Sequence, residues 1–476
     1  MPESVPLPNE AALDLESLVA DVVALAMKAG ATDAEAVARE GDEFSVNVRM
    51  GEVETLKESG SRGLGLRVLL GRPSAAGKRS GSASTSDLTA EGIQQLVDGA
   101  LALARVTEED PFAGLPEASE FGAANARMTG EDLHLYFDDV YSLSGAERIE
   151  WARRAEAAAL KADPRITNSD GGSFDAATGK KALANSRGFV GSYRTSYAGV
   201  AAAPLAKDAD GKMQRDGWWS SARSFAHLES PEAVGAEAAR RALRRLGARR
   251  VPTQRVPIVF APETARTLIG SIFEAASGDA IWRGASFLAG KLGETIAAPN
   301  LTIVDDNTML LPTGAGGFGS SPFDDEGLPS QRTVVVENGV LCNYLLNTYT
   351  ARKLGMKSTH NAARGLASAP GVGCGNLYLQ PGNLTKEQIV GEVKAGLYVT
   401  SLMGFGTNLV TGDYSRGATG LWIENGQLTH AVEEVTIAGN LAEMLRNVTA
   451  IGNDLVFRGS VASPTLRVDG MTIAGA

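Results

Sequence analysis

A chain of 476 residues can bury a large core, and its length suggests two or three domains. With 43% hydrophobic and 21% charged residues the composition is that of a soluble globular protein, and a net charge of -11 excludes a global field favouring DNA or anionic lipid. Two cysteines, Cys342 and Cys374, exclude a disulfide framework and point to a reducing compartment; neither sits in a CxxC pair, so both read as small half-buried thiols.

Residues 1–10 are acidic and Pro-rich, with no basic and apolar signal pattern. No run approaches the ~18 uninterrupted apolar residues of a membrane span. A cytoplasmic protein with no membrane partner is the expectation. Asn9 can cap a helix whose apolar stripe runs Leu15, Leu18, Val19, Val22, Ala26 and Ala29, stopping at Gly30. Phe44, Val46, Val48 and Met50 then alternate with polar residues up to a turn at Gly51. Leu64, Leu66, Val68 and Leu70 alternate again before Arg72-Pro73. Ile93, Leu96, Val97, Ala100, Leu101 and Ala104 mark a second helix. Residues 106–130 lack periodicity and read as a linker or long surface loop. A helix over about 146–161 and a Gly/Ser/Tyr-rich run of short strands over 166–227 follow, then a helix near Pro231 to Leu246.

The next segment opens with a strand over 256–260, and Pro262 suits the first position of a helix. From Leu301 the pattern is mostly β. Asn338-Gly339 and Asn425-Gly426 mark two hairpins, because both residues of each pair tolerate positive φ. The fold class expected is α+β. Residues 1–250 form an N-terminal region with an antiparallel sheet and helices, with a candidate sub-boundary in 106–130. Residues 251–476 form a β-rich domain, barrel-like or a large mixed sheet.

Four C-terminal segments carry a specific pattern: FDDEGLPSQRT (323–333), ARKLGMKST (351–359), TGDYSRGATGLWIENG (411–426) and TIAGNLAEMLRNVTAIGNDL (436–455). In this order and spacing they resemble the TldD/PmbA family, once named modulators of DNA gyrase, and the GDYSRGA segment resembles its PmbA (TldE)-like branch. The resemblance implies one half of a heterodimeric zinc metalloprotease. Its TldD-like subunit carries His-Glu-x-x-x-His on a helix and a Cys near the C-terminus. Carried across, the first His falls on Phe273, the Glu on Glu274 and the second His on Gly278, and Phe457-Arg458-Gly459-Ser460 offers no Cys.

Zinc needs imidazole, thiolate or carboxylate donors, and neither Phe nor Gly supplies one. Without the metal, Glu274 alone cannot produce a hydroxide nucleophile near neutral pH. The expectation is therefore no catalytic residue in this chain in isolation, no metal or cofactor bound by it, and zinc in a TldD-like partner. That pair would hydrolyse unfolded or short peptides in an enclosed chamber, and the isolated chain could be a monomer or a homodimer built through the shared surface. Glu274 reads as a relic base or as a helix residue used for packing or partner contact.

Other candidates carry alternatives. His134, His227, His360 and His430 show no ligand spacing. His360 could line a substrate groove or be an ordinary loop residue. Tyr414 and Arg416 could hold a peptide backbone, and Ser415 lacks the Gly-x-Ser-x-Gly spacing of a nucleophile elbow. Asp305, Asp306, Asp324, Asp325 and Glu326 could converge on Mg²⁺ or Ca²⁺ in an autonomous hydrolase, or serve as turn and cap residues. Seven arginines between Arg240 and Arg255 read as a solvated helix end rather than a nucleic-acid stripe. The Gly-rich segments 314–319 and 404–406 lack Gly-Lys-Ser/Thr. A non-enzymatic regulator of gyrase is the remaining alternative, and no nucleic-acid partner is expected.

Overall fold

The computed structural model describes residues 14–71, 77–123 and 128–475. Helix α1 (Leu15–Lys28) is capped by Asp14, whose side chain accepts from Glu16 N; Asn9 and Arg72-Pro73 lie outside the described residues. Strands β1 (Asp33–Arg49), β2 (Glu52–Gly71) and β3 (Lys78–Thr85) follow, the first two joined by Met50 and Gly51 at φ 51° and 82°. Helix α2 (Ala90–Val106) starts from Thr89, whose hydroxyl accepts from Gly92 N. Leu115 and Phe121 are buried in the stretch read as a linker or surface loop, and the Arg352 guanidinium donates to Leu115 O. Those two side chains are packed, not solvated.

After α3 (Gly145–Lys161) the run read as short strands is one long hairpin, β4 (Ile166–Asn185) and β5 (Val190–Lys207), followed by β6 (Met213–Arg215) and β7 (Trp218–Ala222). Its Gly, Ser and Ala content hides the length, because small residues blur the alternation that marks a strand. β4 pairs with β1, so strands from both sides of 106–130 share one seven-stranded sheet of order β3-β2-β1-β4-β5-β6, with β7 also on β5.

Strand parity then decides what each face meets. Ala34, Ala36 and Ala38 pack with α1 and α2, while Phe44, Val46 and Val48, of the same parity, pack with α3 and α4 (Pro231–Leu243). Helices thus cover one face. The other face carries Val37, which joins Leu183, Phe189, Phe323 and Leu328 in a core shared with the C-terminal half.

That half starts with β8 (Gln254–Phe260), α5 (Pro262–Ala276) and α6 (Gly278–Trp282). Strands β9 (Ile303–Asp306), β10 (Arg332–Glu337) and β11 (Val340–Leu341), helix α7 (Thr348–Leu354), and strands β12 (Ala362–Ala363), β13 (Gly371–Val372) and β14 (Asn376–Leu379) come next. Then follow α8 (Lys386–Gly391), β15 (Ala395–Met403), β16 (Asp413–Glu424), β17 (Gln427–Asn440), α9 (Leu441–Arg446), β18 (Val448–Ile451), β19 (Val461–Ala462) and β20 (Leu466–Ala474). The order β17-β16-β15-β8-β20 closes by pairing β20 back onto β17, giving a five-stranded barrel-like sheet. The expected α+β class and barrel-like C-terminal sheet are both present. Both Asn-Gly turns form: Asn338 and Asn425 sit at φ 48°, followed by glycines at φ 84° and 79°.

Candidate functional site

The face of the N-terminal sheet turned toward the C-terminal half does not pack flush against it. Between the β4–β5 hairpin and loops at 307–325, 361–363 and 373–375 lies a cavity of about 460 Å³, within the usual range of ligand sites. Lys181 enters it because register pairs it with Arg39 on β1 and Tyr193 on β5, on the parity opposite the helices.

The Lys181 ammonium is ion-paired with Asp325, which also accepts from Arg364 N at 2.8 Å. Burial pushes the Lys181 ammonium down to about 7, and the nearby Arg39 and Arg364 charges act the same way. Asp324 Oδ1 accepts from Glu326 N and Leu328 N, and its Oδ2 from Ala362 N. Burial still raises its pKa to about 6 against those three bonds. Asp305 is pushed up to about 7 by burial, with Asn361 Nδ2 donating to it at 2.7 Å. Glu326 lies behind the wall, accepts from Thr348 N and Oγ1, and is raised to about 8 by burial and by Asp324. Asp306 Oδ1 accepts from Thr308 N and Oγ1.

Asp306, Asp324 and Glu326 thus accept from backbone amides and hydroxyls, the turn-and-cap role, whereas Asp325 faces Lys181 and Asp305 the Asn361 amide. Among the described residues no group of three or more His, Cys, Asp or Glu is placed to hold a metal ion. Cys374 lines the same cavity. Burial, reinforced by Asp305, pushes the Cys374 thiol up to about 12, so it stays protonated. Arg223 donates to the carbonyls of Gly316, Gly317 and Phe318, which ties the hairpin to the 316–318 loop. What remains is a polar, partly charged cleft able to hold a ligand with donors and acceptors of its own.

The motif positions lie elsewhere. Phe273 is half-buried against the C-terminal core, and Glu274 is exposed on α5. Gly278 is buried at the start of α6, its N–H donating to Leu345 O at 2.8 Å. A side-chain carbon at 278 would lie 2.5 Å from Thr350 Oγ1 and 2.7 Å from Leu346 Cδ2. An imidazole does not fit there. Phe457 stacks edge-on with Tyr378, and Arg458 pairs with Glu229. The residues present do not fit zinc.

Tyr414 is buried within β16, its phenol pushed up to about 12 by burial, with half-buried Arg416 two residues along the strand. His360 sits at φ 56° with Nδ1 2.7 Å from Pro329 O. None of these three lines the cavity, although Asn361, next to His360, does. Lys181, Tyr193, Arg223 and Asn361 escaped the motif reading, because what brings them together is strand register and the packing of two halves. The adjacent Lys180-Lys181 pair inside an apolar-bounded strand was the available signal.

Family models for the PmbA/TldA metallopeptidase match domain 1 at 34–104, the central domain at 138–246 and the C-terminal domain at 253–475. Metalloprotease PmbA of Escherichia coli O157:H7 is 38% identical over 95% of this chain and 94% of its own length. A PmbA homolog of Haemophilus influenzae is 36% identical over 97% and 96%. Among solved structures, a Thermotoga maritima protein named as a modulator of a DNA gyrase superposes with a TM-score of 0.83, at 28% identity over 96% of this chain and all of that one. TldE of Thermococcus kodakarensis shares the fold at a TM-score of 0.80 and 21% identity, over 96% of this chain and all of that one. The chain belongs to the PmbA/TldD metallopeptidase family.

Proposed function

We propose that this chain is the subunit of a two-subunit zinc peptidase that does not itself hold the metal. In this reading a TldD-like partner supplies zinc and cleaves the peptide bond. This chain contributes part of the chamber wall, and its polar cavity receives segments of unfolded or short peptides. The observation that carries the reading is the pair Phe273 and Gly278. One is an apolar ring packed on the core, and the other is a backbone position closed off by Thr350 and Leu346. Donors are missing at both positions, and at 278 the space for an imidazole is missing as well. A cytoplasmic location belongs to the same reading; among the described residues no helix is long and apolar enough to cross a membrane.

The test is peptide cleavage by this chain alone, by a TldD-like partner alone, and by their mixture, each with and without a chelator. Cleavage only in the mixture, abolished by chelation, supports the proposal. Turnover by the purified chain alone, or stoichiometric zinc in it, overturns the proposal.

A further inference from the structure

Part of the arginine cluster at the end of α4 is not a solvated helix end. A second cavity, of about 260 Å³, opens between α4 and the C-terminal half, and Arg240, Arg241, Arg244, Arg266, Lys386 and Arg458 line it beside only two carboxylates, Glu263 and Asp454. Some of these cations are fully engaged. Arg241 and Arg458 bracket the Trp218 ring at 4.1 and 3.9 Å from its centroid, and Arg241 Nη2 donates to Glu263 at 2.7 Å. Arg240 closes on Glu237.

Two guanidiniums are not. Arg244 Nη2 stands 3.5 Å from Asp216 Oδ2, and its Nε and Nη2 are buried without a hydrogen-bond partner. Burial, aided by Arg241 and opposed by Asp216, holds the Arg244 pKa below the ordinary range. Arg266, on the second turn of α5, makes no hydrogen bond or ion pair among the described residues. The 15-residue α5 also begins on this wall, at Pro262, with no side-chain cap from Ala261. Its positive pole adds to the same field.

We propose that this cavity binds a small phosphate-bearing anion. Arg240, Arg241, Arg244, Lys386 and Arg458 already face Glu237, Glu263, Asp216, Glu387 and Glu229. Among the described residues Arg266 is the wall cation left without a carboxylate, and with the partnerless Arg244 Nε and Nη2 it offers two guanidinium forks to one anion. A phosphate group carries about -1.5 to -2 near neutral pH and presents several acceptor oxygens to guanidinium forks. The volume lies just under the ~300 Å³ at which drug-sized ligand sites begin, which restricts the ligand to orthophosphate, pyrophosphate or a short phosphate ester. Because the wall combines α4 with α5 and α8, a bound anion would also tie the two halves together.

The test is calorimetric titration of the full chain with orthophosphate, pyrophosphate and phenyl phosphate, against sodium chloride and sodium acetate at matched ionic strength. Saturable binding of one phosphate ligand per chain is expected, at least tenfold weaker in Arg266→Gln and in Arg244→Gln. Arg266→Gln should melt like the parent when no phosphate is present, having no protein partner to lose. Tightest binding of orthophosphate identifies the free ion, and tightest binding of phenyl phosphate identifies an organic monoester; either supports the site. Absence of saturable binding, acetate binding equally well, or unchanged affinity in both variants overturns it.

Discussion

Glu35 on β1 accepts a hydrogen bond from Arg364 Nη1 at 2.7 Å, and the two side chains are 1% and 0% exposed. The same Glu35 oxygen accepts from Arg67 Nη1 at 2.9 Å. One buried carboxylate therefore balances two buried guanidiniums, one from each half of the chain.

Removing that carboxylate should be costly. Glu35→Ala leaves two cations in low dielectric without a counter-charge, a change that typically costs about 3–5 kcal/mol. Glu35→Gln keeps an acceptor but not the charge, so it should fall between parent and Glu35→Ala. Urea denaturation read from far-UV circular dichroism measures both. A Glu35→Ala midpoint equal to that of the parent would show that the triad contributes nothing to stability.

The buried carboxylates make stability pH-dependent in a defined direction. Asp305 has its pKa raised from 3.8 to about 7 by burial. A raised carboxylate binds its proton more tightly in the folded state, so its contribution is fully present below 3.8 and lost as pH rises through about 7. The loss has an upper bound of about 1.4 kcal/mol per pH unit across that window. Asp305→Asn keeps an acceptor for Asn361 Nδ2 without the titration. Thermal melts should show the variant gaining on the parent between pH 5 and pH 8. A difference that does not change with pH would contradict the shift.

Glu274 tests how far the motif position survives as chemistry. Its side chain is exposed on α5, so Glu274→Gln should change stability by no more than about 0.5 kcal/mol. In the mixture with a zinc-bearing partner, peptide cleavage should be unchanged within twofold. A large loss of cleavage with unchanged folding would instead give Glu274 a role in contact with the partner or the peptide.

Elements with a single strong period were legible in the sequence. The alternation of Phe44, Val46 and Val48 marked β1, the stripe from Ile93 to Ala104 marked α2, and Pro262 marked the start of α5. The Asn-Gly pairs located two turns, because few other residue pairs accept both positive φ values. Leu115 and Phe121 were hidden by the aperiodic stretch around them, since an irregular segment buries side chains without a repeat to reveal it. Lys181, Asn361 and Arg223 meet only after β4 pairs with β1 and the C-terminal loops close over that sheet. Such contacts join residues far apart in sequence, and no local pattern encodes them. Arg241 and Arg244 show the same limit: a run of arginines resembles a solvated helix end until another domain covers it.

Restoring the missing ligands by mutation should not restore a metal site. Gly278→His must place its first side-chain carbon 2.5 Å from Thr350 Oγ1 and 2.7 Å from Leu346 Cδ2, both on packed elements. Overpacking of this kind costs about 1–3 kcal/mol, so the variant should melt several degrees below the parent. Phe273→His adds one imidazole but removes a ring packed on the core. The double variant would still lack a third donor, because Phe457, Arg458, Gly459 and Ser460 provide no thiolate. Elemental analysis after dialysis should therefore find less than one zinc per ten chains. Stoichiometric zinc in a double variant that melts like the parent would mean that the helix ends at α5 and α6 can rearrange at little cost, and that the missing imidazoles alone separate this chain from a zinc-binding one.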